Sequence, residues 1–218
     1  MRLPLRQTDD LLRGALPADE PPGRALPRLV LTLVVCGAFY GVVMGCWGGR
    51  WLQAVYSGSK VPLLLLATFA LSVPSFFVLN TLLGLRADWP RVLRALVAAQ
   101  AGLTVILASL APLTGFWYAS VHSYDAALLF NAAMFGTASV AAQALLRRAY
   151  RPLIARDARH RTMLRAWLVI YAFVGVQAGW VLRPFVGSPG VETKFLRAKA
   201  WGNAYVEVAH TVGRALGL

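Results

Sequence analysis

Charge is what this 218-residue sequence has least of. Only 14% of its residues are Asp, Glu, Lys or Arg, against about 25% in an ordinary soluble domain. Acids are scarcer still, nine against 22 basic residues. Cysteine is nearly absent. Cys36 and Cys46 lie ten positions apart in one apolar stretch, about 15 Å along a helix, too far to bridge each other. Nothing well inside an apolar stretch titrates near neutral pH, which argues against a proton- or ion-coupled carrier. There is no HExxH, GxSxG, phosphate-cradling glycine loop or metal-ligand spacing. His122 and Asp125 form at most a local pair, and Asp157, His160 and His210 are scattered to opposite membrane faces. The reading is non-catalytic, with no cofactor and no metal.

What the chain does have is apolar length. Hydrophobic residues make up 58% of it, and its mean hydropathy is +0.58. Five windows carry no charge: 29–49, 61–85, 95–124, 126–146 and 166–182. At ~1.5 Å per residue the first four exceed the ~30 Å hydrocarbon core of a bilayer. The fifth reaches about 26 Å and needs Arg165 and Arg183 to snorkel. The expected fold is therefore an all-α membrane protein, a bundle of five transmembrane helices over about 29–49, 61–85, 95–118, 126–146 and 166–185. A cytoplasmic N-terminal segment (1–27) precedes this domain (28–187), and an external interfacial tail (188–218) follows it. The first span follows a polar tail and lacks a small-x-small site, so it does not read as a cleaved signal peptide.

The basic excess gives a net charge of +13, which on a soluble protein would suggest nucleic acid. Membrane topology accounts for it instead, and no nucleic-acid partner is expected. Fifteen Lys and Arg fall in the N-terminal tail and the second and fourth loops, and seven on the other side. The positive-inside rule then puts the N-terminus in the cytoplasm and the C-terminus outside, as in a bacterial inner membrane. The fourth loop, 147–165, holds Arg147, Arg148, Arg151, Arg156, Arg159, Arg161 and Arg165 against Asp157 alone. Topology control suffices to explain it. The same residues suit anionic lipid head groups, at roughly 1 kcal/mol each near the surface.

At the N-terminus "TDDLLRGAL" can start a short helix, while "PADEPPG" and "RALP" read as an extended linker. Past Ser188-Pro189-Gly190, the residues Phe195, Trp201, Tyr205, Val208 and Val212 recur as in an amphipathic helix on the outer surface.

Two patterns inside the spans concern packing. Gly37, Gly41 and Gly45 stand four apart on one face, and Gly175 and Gly179 repeat the device, so another helix backbone can approach closely. In the second span Thr68, Ser72 and Ser75 fall within about 60° of one another, a stripe that must face protein or a wet cavity. Pro74 lacks an N–H and leaves the Ala70 carbonyl without its helical partner. Asn80, Gln100 and Gln143 lie at similar depth near the basic side, with Asn131 and Gln177 further out. Interhelical hydrogen bonds of around 0.6 kcal/mol each are the simpler reading. A polar lining for a solute path is the alternative.

Five spans after a cytoplasmic segment, Gly- and Pro-rich helices and the "FYG" at 39–41 resemble the Yip family of five-span membrane proteins. That resemblance implies membrane organisation or partner recruitment. It carries over no functional residue, and the acidic "DLYGP"-like element of the family is absent from this tail. The sequence thus reads as a non-catalytic subunit or scaffold of a larger membrane assembly. A passive channel is the alternative, and an anionic-lipid-binding organiser the third reading. Expected partners are membrane lipids and other membrane subunits or self.

Overall fold

The computed structural model describes residues 22–196, and side chains from residue 26 onward. Among the described residues every regular element is helical. The order is α1 (Pro22–Gly45), α2 (Trp51–Leu82), α3 (Trp89–Ser120), α4 (Tyr124–Arg156) and α5 (Arg159–Leu182). All five are long and apolar enough to cross a membrane, which makes this a polytopic membrane protein.

The helix ends follow local chemistry. Pro22 opens α1, where its missing N–H costs nothing, so "RALP" lies within the first two turns of a helix and is not a linker. Gly48 and Gly49, at φ 70° and 72°, turn the chain into α2. At the far end of α2, Gly84 is left-handed (φ 74°). There the Leu85 N–H bonds the Asn80 carbonyl at 2.9 Å and the Gly84 N–H bonds that of Thr81 at 3.0 Å, a Schellman cap. Pro90 sits in the first turn of α3, and the Ser123 hydroxyl accepts from Ala126 N to start α4.

Two expected loops are largely helix. The first ten residues of α2 replace the loop before 61, and residues 147–156 and 159–165 extend α4 and α5 beyond the apolar windows. Charge ends a window but not a helix, because Arg and Ala are strong helix formers. Only Asp157 and Ala158 separate α4 from α5. Residues 183–196 form no helix, so Phe195 belongs to an irregular segment. The rest of the expected external helix, and residues 1–21, lie outside the described residues.

Packing runs in a ring. α1 lies against both α2 and α3, α3 against α4, and α2 against α5, while α2 and α3 barely touch. The seam between α4 and α5 closes the ring loosely. One core cluster, with Phe76, Leu96, Tyr150 and Trp167, sits at the arginine-rich end. A second, with Tyr40, Val61, Leu107 and Ala138, fills the other half.

The tightest contact is α1 on α2. A Cβ on Gly41 would run into the Ser57 carbonyl, and one on Gly45 would stand 2.6 Å from the Cα of Ala54. Gly58 on α2 answers from the other side, where a Cβ would meet Val42 Cγ2 at 2.7 Å. The partner of this glycine face is therefore a helix of the same chain. Gly37 and Gly175 stand at ordinary van der Waals range of Thr104 and Thr68, and nothing lies within 4 Å of a Cβ on Gly179.

Candidate functional site

The ends of α2 and α4 and the starts of α3 and α5 meet at one end of the bundle, carrying the arginines of the second and fourth connections. Among the described residues two acids, Asp88 and Asp157, share that end. Both are engaged. Asp88 accepts from Arg91 at 2.7 Å and lies 3.3 Å from Nε2 of the fully buried His160. Asp157 is clasped by Arg159 through its backbone N–H (2.9 Å) and its guanidinium (2.6 Å). Those bonds hold the Asp157 carboxyl well below the usual range, at about 2. Arg159 Nη1 also donates to the Leu83 carbonyl at 2.7 Å, tying the start of α5 to the end of α2. Arg159, expected on the lipid-facing set, is thus engaged within the protein. Arg147, Arg148, Arg151, Arg156, Arg161 and Arg165 are exposed and form no ion pair among the described residues.

The intramembrane polar residues do not form one group. Asn131 is a hub: its Oδ1 accepts from the Tyr40 hydroxyl at 3.1 Å, and its amide donates to Tyr118 and to the Ala127 carbonyl. Tyr118 passes the chain on to the Met44 carbonyl at 3.0 Å, so α1, α3 and α4 are tied together. Gln100 Oε1 accepts from Tyr171 at 2.8 Å and links α3 to α5. Asn80 bonds back to the Phe76 carbonyl at 3.4 Å, and its Oδ1 has no partner among the described residues. Gln177 is half-buried on α5.

The expected stripe on α2 splits. Thr68 and Ser72 are 1% and 0% exposed, whereas Ser75 and Pro74 face outward. The buried line follows four-residue spacing, through Thr68, Ser72, Phe76 and Asn80, and Ser75 lies beyond its edge. The hydroxyl oxygens of Thr68 and Ser72 have no hydrogen-bond partner among the described residues.

At the loose α4/α5 seam lies a cleft of about 660 Å³. Its walls are mostly apolar, from α2, α3, α4 and α5, with small residues Ala144, Ala172 and Gly175 leaving the space. The polar exceptions are Thr68, Ser139, Gln143, Tyr171 and, at the arginine-rich end, Arg147. Gln143 Oε1 has no partner among the described residues. Of the three carboxamides expected at one depth, Gln143 alone lines this space; Gln100 and Asn80 are turned to neighbours.

One constellation escapes a reading of charge windows. Lys60, expected in the first loop, is the tenth residue of α2 and fully buried. Its Nζ donates to the Pro184 carbonyl at 2.7 Å and lies 4.9 Å from the centre of the Phe195 ring. Gln53 donates to the carbonyls of Pro184 (3.1 Å) and Phe185 (3.0 Å), and Ser57 donates to that of Phe185. The signal was the spacing of Gln53, Ser57 and Lys60, four and three residues apart on one helix face. Arg50 adds a bond to the Val191 carbonyl at 2.8 Å. Together these side chains strap residues 183–196 over the end of the bundle opposite the arginines.

Comparison of the chain with protein-family models, with curated proteins and with solved structures found no match.

Proposed function

We propose that this chain is a non-catalytic inner-membrane protein that organises anionic lipid at the cytoplasmic surface through its arginine-rich end. The observation that carries the reading is the charge imbalance there. Six arginines of 147–165 stand exposed, while Asp88 and Asp157 are already held by Arg91, His160 and Arg159. Each exposed guanidinium near an anionic leaflet contributes roughly 1 kcal/mol, and planar guanidinium matches phosphate bidentately. The same charges favour the cytoplasmic side for this end.

The test is reconstitution in nanodiscs of mixed phosphatidylglycerol and phosphatidylcholine, with lipid enrichment around the protein measured by fluorescent lipid probes. Phosphatidylglycerol is expected to be enriched, and the enrichment to weaken in high salt and when Arg151, Arg156, Arg161 and Arg165 become Gln. Equal distribution of the two lipids would overturn the reading.

A second reading, a subunit of a larger membrane assembly, is favoured by α5. Its outward side presents exposed Val169, Phe173 and Val176, and a Cβ at Gly179 would meet nothing. Such a notch suits close approach of another helix. A partner that copurifies in mild detergent and is lost on Gly179→Leu would support it. A solute path has less support, since Gln100 is bonded to Tyr171 and Asn80 turns back on its own helix, so neither lines the cleft with Gln143.

A further inference from the structure

We infer that the cleft at the α4/α5 seam holds one anionic phospholipid, with an acyl chain between the helices and its phosphate on Arg147. This rests on the lipid reading above and goes beyond it, from a charged surface to a single bound molecule. The cleft volume, about 660 Å³, falls within the roughly 300–1,000 Å³ of small-molecule sites. Along α4 it runs from Arg147 to Phe135. Twelve residues at ~1.5 Å each make about 18 Å, close to half of the ~30 Å hydrocarbon core. The space therefore matches the depth of one leaflet, beginning at the leaflet edge where the charges begin.

Polarity is graded along the same line. Arg147 is exposed at the mouth, without an ion-pair partner among the described residues. Gln143 stands one turn deeper, about 6 Å along the helix, where its amide N–H groups meet the level of a lipid's ester linkages. Beyond it Leu103, Phe135 and Val140 make the walls mostly apolar, with the small hydroxyls of Ser139 and Thr68 as the exceptions. A neutral sterol or a second protein helix would leave Arg147 facing no anion, whereas a phospholipid answers both ends of the gradient. Entry is lateral, because α4 and α5 touch so little along this seam.

The experiment is native mass spectrometry of the full chain from mild detergent, followed by delipidation and titration with phosphatidylglycerol or phosphatidylcholine. One retained phospholipid per chain is expected, with phosphatidylglycerol held about fivefold more tightly than phosphatidylcholine. Ala172→Phe and Ala144→Phe, which fill the space, should abolish retention, and Arg147→Gln should erase the preference for the anionic lipid. Thermal unfolding of each variant confirms that it is folded, and the smaller Ala172→Ile serves if the Phe variants are not. Arg151→Gln with Arg156→Gln should weaken the annular enrichment in nanodiscs yet leave the retained lipid in place.

No retained lipid, or retention unchanged by filling the cleft, would overturn the inference while salt-sensitive enrichment upheld the surface reading. Loss of enrichment as well would overturn both. A dimer mass that replaces the lipid, and disappears when the cleft is filled, would overturn the inference in favour of a second copy.

Discussion

At the scale of single residues, two positions have consequences out of proportion to their size. Gly41 faces the carbonyl of Ser57, and backbone cannot step aside as a side-chain tip can. Gly41→Leu is expected to cost at least the 1–3 kcal/mol of a typical overpacked site, roughly, and to show as a lowered melting temperature in detergent. Gly179→Ala, where nothing lies within 4 Å, should stay within about 0.5 kcal/mol. Asp157 is the second position, outside the spans, with its carboxyl held at about 2 by the Arg159 side chain and N–H. A carboxyl with a depressed folded pKa stabilises the fold above its unfolded value of ~3.9, and the contribution is lost as pH falls through the folded value. Hydrogen exchange at 157–160, corrected for intrinsic rates, should therefore hold steady from neutral pH to about pH 4 and quicken towards pH 2. Asp157→Asn should bring that quickening at neutral pH. The glycine at 41 was legible from four-residue spacing alone, but its partner was not. Ser57 and Gly58 sat in what charge counting made a loop.

At the scale of elements, the first ten residues of α2 change the meaning of that helix. They bring Gly58 to α1 and turn Gln53, Ser57 and Lys60 towards the carbonyls of Pro184 and Phe185. A buried ammonium survives there because a carbonyl and an aromatic ring share its charge. Lys60→Met removes that charged donor and leaves the Pro184 carbonyl to Gln53 alone, a loss of about 1.5–3 kcal/mol. The strap over 183–196 should then loosen. Trypsin cleavage after Lys194 is expected to accelerate, with the helical core resisting as before. Equal cleavage in both proteins would show that Lys60 does not hold the strap. The same helix corrects the polar stripe, since its buried line passes through Phe76 and leaves Ser75 outside. Angles on an ideal helix place residues relative to each other, and the width of the buried face is set by the neighbours.

At the scale of the whole molecule, the ring of helices is tight around α1 and loose between α4 and α5, and the loose seam holds the cleft. Anionic-lipid enrichment in nanodiscs and one retained phospholipid in native mass spectra are the two outcomes expected at this scale. The five spans and the gathering of arginine at one end were readable from the chain, because burial in hydrocarbon and membrane orientation act on composition and spacing. Asn80, Gln100 and Gln143 were equally visible as carboxamides at one depth. Depth is a coordinate along the chain, whereas facing is decided by which helix lies beside which. Only packing could send Gln100 to Tyr171, Asn80 back to its own helix and Gln143 into the cleft. Likewise Arg159 and Arg147 are one residue type in one run. Tertiary structure alone gave the first to Leu83 and left the second at the mouth of an open seam.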